Sequence, residues 1–270
     1  MHPRISVSAV CSRNWTFDED LRFYADAGIT NVGLSWAKLD PVGADDAASR
    51  VRAAGLRVTN VLAMAGHVLD DPSSWPRAGA RVEGALRVAA TTGAGCVVMT
   101  SGRPGSLSWE DAAAAWEAAV APLAQRARDA GVVLALEHTN SLRVDLSFVH
   151  TLRDAFVLAA RLDMGVCMEC NACWMERGVN DAIAANATRL ALVQVSDHTV
   201  GTFATPDRVM PGDGDIPLPR LLRALVAAGY EGVFDLEAIG PRVDAEGYER
   251  AIPRGVAALE KLLGGAGVRP

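Results

Sequence analysis

Short apolar runs recur along the chain, and several stop abruptly at an oxygen-bearing side chain. The clearest covers residues 132–140, Val-Val-Leu-Ala-Leu-Glu-His-Thr-Asn, where five apolar residues lead straight into Glu137. A run of that length without alternation predicts a strand buried on both faces, as in a parallel sheet. The pattern repeats at 165–168 before Glu169, at 190–193 before Gln194 and at 233–236 before Glu237. Helix signals fill the intervals. Thr16 with Glu19 is a capping-box pattern, and Ser108 with Asp111 opens a long Ala-rich segment that ends at Gly131. Gly28, Gly55, Gly93, Gly131 and Gly229 all fall where a helical segment gives way to an apolar run, the trace of a repeated αβ unit.

The same reading predicts strands at 5–11, 29–34, 56–64, 96–100, 132–140, 164–169, 190–195 and 232–237. Helices are predicted from Thr16 to Gly28 and over 44–54, 75–92, 148–162, 180–189, 218–228 and 245–263, besides the Ala-rich one after Ser108. Eight strands alternating with helices, with no linker-like segment, predict an α/β protein: a single (β/α)8 TIM barrel over residues 1–270. An open doubly wound sheet is the competing arrangement, but nothing here resembles its Gly-rich nucleotide loop.

Composition narrows the function classes. Half of the 270 residues are apolar and 21% are charged, enough for a large core and against disorder. A net charge of −6 argues against a nucleic-acid partner, which requires Lys and Arg opposite phosphates. No apolar run approaches the ~20 residues of a membrane span, and the N-terminus lacks signal-peptide architecture. Five cysteines, an odd number, fit a reducing cytoplasm better than a disulfide framework. The expectation is a cytoplasmic protein whose partner is a small-molecule substrate, with neither nucleic acid nor membrane involved.

In this barrel, functional groups gather at the C-terminal ends of the strands. Glu137, Glu169 and Glu237 take that position on the fifth, sixth and eighth strands, and Gln194 on the seventh. Three carboxylates at one barrel mouth repel unless a cation sits among them. A hard divalent ion such as Mg2+ or Mn2+ satisfies oxygen ligands of this kind, and the Gln194 amide oxygen is the candidate fourth ligand. Cys167, Cys170 and Cys173 are spaced as Cys-x2-Cys-x2-Cys, but alternation turns 167 and 170 to opposite faces, so packing cysteines are expected. His138, next to Glu137, should point away from the cavity. His67, Trp36 and Trp174 follow strand ends and are candidates for an apolar or stacking wall, with Asn171 a further lining residue.

The chain resembles the xylose-isomerase-like TIM barrels, the sugar phosphate isomerase/epimerase superfamily that also contains the endonuclease IV type. The resemblance covers nearly the whole chain. It rests on Leu-Glu at 136–137, Gly-Val-Cys-Met-Glu at 165–169, Val-Gln-Val-Ser-Asp at 193–197, Arg208 with Pro-Gly-Asp-Gly-Asp-Ile-Pro at 211–217, and Gly-Tyr-Glu-Gly-Val-Phe-Asp-Leu-Glu at 229–237. It implies one divalent metal on Glu137, Glu169, Gln194 and Glu237, with Mn2+, Mg2+ or Co2+ ahead of Zn2+. It also implies that Glu137 and Glu237 form the acid/base pair, that Arg208 contacts substrate, and that such barrels assemble as dimers or tetramers. Three positions, on two strands and the turn after one of them, depart from the family pattern. Its sixth-strand ligand is usually Asp with a substrate-binding His three residues later, and here these are Glu169 and Ala172; its seventh-strand His is here Gln194. His198 is the candidate to replace the missing imidazole. The implied activity is isomerisation or epimerisation through an enediolate on a small polyhydroxylated or cyclic keto substrate. A dehydratase or lyase built on the same site and a non-catalytic metabolite-binding barrel are the alternatives. The abasic-site endonucleases of the superfamily need a His- and Asp-rich three-metal site, and this chain has only five histidines.

Overall fold

Eight parallel strands close on one another in chain order, β1 through β8, and β1 pairs back onto β8. They are β1 (Ile5–Ser8), β2 (Asn31–Ser35), β3 (Arg57–Leu62), β4 (Cys96–Thr100), β5 (Val133–Glu137), β6 (Gly165–Glu169), β7 (Leu190–Val195) and β8 (Phe234–Leu236). The structure, a computed structural model, describes residues 1–269. Outside the strands lie α1 (Phe17–Ala27), α2 (Trp36–Leu39), α3 (Ala44–Ala53), α4 (Trp75–Thr92), α5 (Trp109–Asp129), α6 (Leu152–Arg161), α7 (Cys170–Cys173), α8 (Val179–Asn186), α9 (Leu218–Ala227), α10 (Pro241–Glu246) and α11 (Tyr248–Ala266). The expected (β/α)8 TIM barrel is the observed fold, and no described helix is long and apolar enough to cross a membrane.

Several boundaries shift for local reasons. The helix expected from residue 148 begins at Leu152, because the Thr151 side chain accepts the Asp154 amide hydrogen bond at 3.0 Å and caps it there. The last helix, expected as one piece, is two: Gly247, at φ +88°, breaks the backbone between α10 and α11. The short helices α2 and α7, which carry no pattern of their own, follow β2 and β6 directly.

Strand alternation sorts the core into two layers. Outward residues such as Val97, Leu134, Leu136, Val166 and Met168 are buried with the helices in the main core. Inward residues Leu62, Cys96, Val98, Ala135, Cys167 and Leu192 form a separate cluster inside the barrel. Cys167 belongs to the inner layer, whereas Cys170 and Cys173 belong to the outer one. All five cysteines are free and buried, as packing residues should be.

Register brings the acidic strand ends to one level. Glu137 pairs with Cys167 and Gln194 with Asp235, so Glu169 and Glu237 each lie one inward-facing position further along their strands. Glu169 pairs directly with Gln194. This stagger is the shear that tilts strands around a closed barrel, and it converts offset sequence positions into a single layer.

Candidate active site and metal centre

Glu137, Glu169 and Glu237 meet at the floor of a cavity that opens at the C-terminal mouth of the barrel. One carboxylate oxygen from each lies within 4.8 Å of the other two. All three residues are buried. Burial, then the charges of its neighbours Glu237 and Glu169, drives the Glu137 acid well above the ordinary carboxylate range. Burial also raises Glu169 and Glu237, with the Arg208 guanidinium pulling each partly back.

Glu169 Oε1 accepts the Asn171 backbone N–H at 2.9 Å, the first turn of α7 serving as its donor. Glu237 Oε2 accepts from the Gln194 Nε2 amide at 2.5 Å and from Ser8 Oγ at 3.3 Å. Arg208 Nη1 donates to Glu169 Oε2, to Glu237 Oε1 at 2.9 Å and to the Glu237 carbonyl at 3.3 Å. Burial opposes the Arg208 charge, but Glu169 and Glu237 outweigh it and hold the guanidinium protonated. Glu137 accepts no hydrogen bond among the described residues.

Arg208 reaches the floor because its loop is pinned at both ends. Asp197, just past β7, accepts the backbone N–H groups of His198 at 2.9 Å, Gly212 at 3.0 Å and Ile216 at 2.9 Å. The main chains of Asp197 and Val209 exchange two bonds of 2.9 Å, and Arg208 N donates to Ile239 O at 3.0 Å. This explains the Pro-Gly-Asp-Gly stretch physically. Gly212 adopts φ +92°, and a Cβ on Gly214 would lie 2.4 Å from Asp197 Oδ1.

Of the residues expected at the site, Glu137, Glu169, Glu237, Arg208, His198 and Asn171 line the cavity. Gln194 is fully buried and reaches it through Glu237. His67, Trp36 and Trp174 do not line the cavity. His67 is buried with both ring nitrogens unpartnered, and burial lowers its pKa to about 4. Trp36 packs over α4 with its ring against Gly84. Trp174 is half-buried against the core, and its carbonyl accepts from Arg220 Nη2 at 2.7 Å. His138 turns away from the carboxylates as alternation requires, and its Nε2 accepts the Glu169 N–H at 3.3 Å.

Sequence patterns missed part of the lining. Arg143 and Leu146 come from the β5–α6 loop, a position following a strand end that would have been the signal. Leu62 and Met64, from the end of β3 and just past it, add apolar lining. Met64 holds φ +47°, a left-handed conformation costly for a side-chain-bearing residue and common at functional sites. Nothing in the sequence marks it.

The donor set fits a divalent ion. It offers three converging carboxylates, and beside Glu237 the Gln194 side chain keeps a buried Oε1 that accepts no hydrogen bond among the described residues.

Comparison with known proteins gives consistent results. The sequence profile of the xylose isomerase-like TIM barrel family matches residues 21–262. The structure superposes on protein SMc04130 from Sinorhizobium meliloti 1021 with a TM-score of 0.86 and 25% identity, covering 96% of this chain and 98% of that one. The IOLI protein, solved with a bound zinc atom, gives a TM-score of 0.81 at 17% identity, with 96% and 98% covered. D-psicose 3-epimerase from Clostridium cellulolyticum H10, solved with D-tagatose, gives 0.75 at 15% identity, with 96% and 99% covered. The last two likenesses are of fold. A search of the curated proteins finds no match.

Proposed function

Since the chain belongs to the xylose isomerase-like TIM-barrel family, we propose that it is a divalent-metal-dependent isomerase or epimerase. Its substrate is a small polyhydroxylated or cyclic keto compound, and its reaction passes through an enediolate. The observation that carries this reading is the trio Glu137, Glu169 and Glu237, buried together at the cavity floor with oxygens within 4.8 Å of one another. Arg208 offsets only part of the charge of three buried carboxylates, and a divalent ion would offset the rest. Glu137, Glu169, Glu237 and Gln194 hold the ion, with Mn2+, Mg2+ or Co2+ preferred. When bound, the ion polarises the carbonyl and stabilises negative charge developing on its oxygen.

The chain's own groups do the rest. Glu137, whose carboxylate has no donor among the described residues, takes the proton beside the carbonyl. Glu237, held by Ser8, Gln194 and Arg208, is the fixed partner that returns a proton on the other side. Arg208 and His198 supply cationic and imidazole contacts for substrate oxygens.

One observation favours a second outcome. Leu62, Met64, Leu146 and Ile239 give the cavity an apolar wall, and Ala172 offers no polar atom from its side chain. That wall suits a ring with its oxygens along one edge better than an open polyol. With such a substrate the same enolate can expel a β-hydroxyl, giving a dehydratase or lyase. Incubating metal-loaded protein with ketoses, inososes and cyclic keto acids in D2O separates the outcomes. Deuterium uptake with no loss of water supports isomerisation or epimerisation, and conjugated-enone absorbance supports dehydration. No exchange with any of them contradicts enolate chemistry.

A further inference from the structure

The cavity floor already holds a cation of the protein's own. Arg208 Nη1 lies between Glu169 and Glu237 and serves both carboxylates and the Glu237 carbonyl at once. With it in place, every oxygen of those two carboxylates has a protein donor. Asn171 N takes Glu169 Oε1, Arg208 takes Glu169 Oε2 and Glu237 Oε1, and Gln194 with Ser8 takes Glu237 Oε2. Only Glu137 is free of donors among the described residues. A divalent ion shared by the three carboxylates needs oxygens that Arg208 now covers, and it would face a like charge at close range among buried groups.

From this geometry we infer that Arg208 is a two-position residue. In the first position it is the counter-cation that bridges Glu169 and Glu237. Metal entry displaces its side chain into the cavity, where it becomes the clamp for substrate oxygens. The inference rests on the metal reading of the site. The movement is small, because the loop backbone is fixed by Asp197 and by the Arg208 N to Ile239 O bond of 3.0 Å. Only Nη1 has to let go, since Nε and Nη2 make no hydrogen bond among the described residues. The consequence is a coupling: metal and guanidinium compete for one place, so the substrate clamp is assembled only when metal is present. Such couplings are reciprocal.

The test uses Mn2+ alone with the full chain, stripped by chelator, titrated calorimetrically in wild type and Arg208→Gln. We expect Arg208→Gln to bind Mn2+ more tightly by ~5–150-fold, the usual size of such a coupling, and to melt lower than wild type when metal-free. Equal or weaker Mn2+ binding by Arg208→Gln overturns the inference while leaving the metal site standing. Absence of Mn2+ binding in both proteins removes the metal site and the inference together. A second measurement needs no variant: phenylglyoxal labelling of Arg208 in the wild-type chain, read by peptide mass spectrometry. Labelling should rise on Mn2+ saturation, and labelling that stays constant or falls overturns displacement even if Arg208→Gln does not fold.

Discussion

The amide nitrogen of Gln194 lies 2.5 Å from Glu237 Oε2, while the amide oxygen of the same side chain is buried without a partner. Donating to the carboxylate fixes which end of the amide is spent, and the end left over is an acceptor. A buried acceptor with nothing to accept costs about 1–3 kcal/mol, a cost that a bound cation removes. Gln194→Leu deletes both roles. It should weaken Mn2+ binding on the order of 10–100-fold, the usual effect of losing a ligand-supporting contact, with the barrel's circular dichroism unchanged. Titration with Mn2+ checks this, and unaltered affinity would show that Gln194 serves packing alone.

Asp197 is expected to matter as much as the ligands although it touches no substrate position. Its carboxylate accepts three backbone N–H groups that hold the Arg208 loop. Asp197→Ala strands those donors, so a loss of about 3 kcal/mol in urea unfolding follows from ~1 kcal/mol per hydrogen bond. Proteolysis within 199–206 should accelerate in parallel.

Much of this was legible in the residues, for definite reasons. The runs ending at Glu137 and Glu169 marked both a strand and a cavity-lining carboxylate, because a barrel strand carries its periodicity and its C-terminal end in one short segment. The run to Glu237 did the same although β8 itself is only Phe234–Leu236. His67, Trp36 and Trp174 also follow strand ends but lie outside the cavity, since residues past a strand end are placed by loop geometry that periodicity does not encode. The Arg208 contact with Glu169 spans 39 positions and depends on the Asp197-anchored loop. The motif marked Arg208 as important but did not show where its guanidinium rests.

Gly84→Ala reverses a general rule. In an exposed helix interior the change gains ~1 kcal/mol. In α4 a Cβ at this position would lie 2.3 Å from the buried Trp36 ring. The expected result is a destabilisation of about 1–3 kcal/mol, typical of overpacking, read from thermal or urea unfolding.

Asp235 makes stability fall with rising pH between the ordinary Asp range and about 8, and not beyond. It is fully buried, its Oδ1 accepts from Ser6 Oγ at 2.6 Å, and its Oδ2 has no partner. Burial raises its pKa to about 8. Below the ordinary Asp range both folded and unfolded chains hold the proton. Between that range and about 8 only the folded chain does, so the stability this group contributes is lost as pH rises to about 8. Melting temperatures of chelator-treated protein should therefore fall more steeply with pH in wild type than in Asp235→Asn. Parallel curves would contradict the assignment.

The central claim is that Glu137, Glu169 and Glu237 are a divalent-metal site. Elemental mass spectrometry of protein purified without chelator, beside a Glu137→Ala/Glu237→Ala double variant, tests it most directly. Near-stoichiometric Mn, Mg, Co or Zn is expected in the parent and none in the folded variant. A parent that remains empty after incubation with each ion, or a variant that retains the metal, would contradict it.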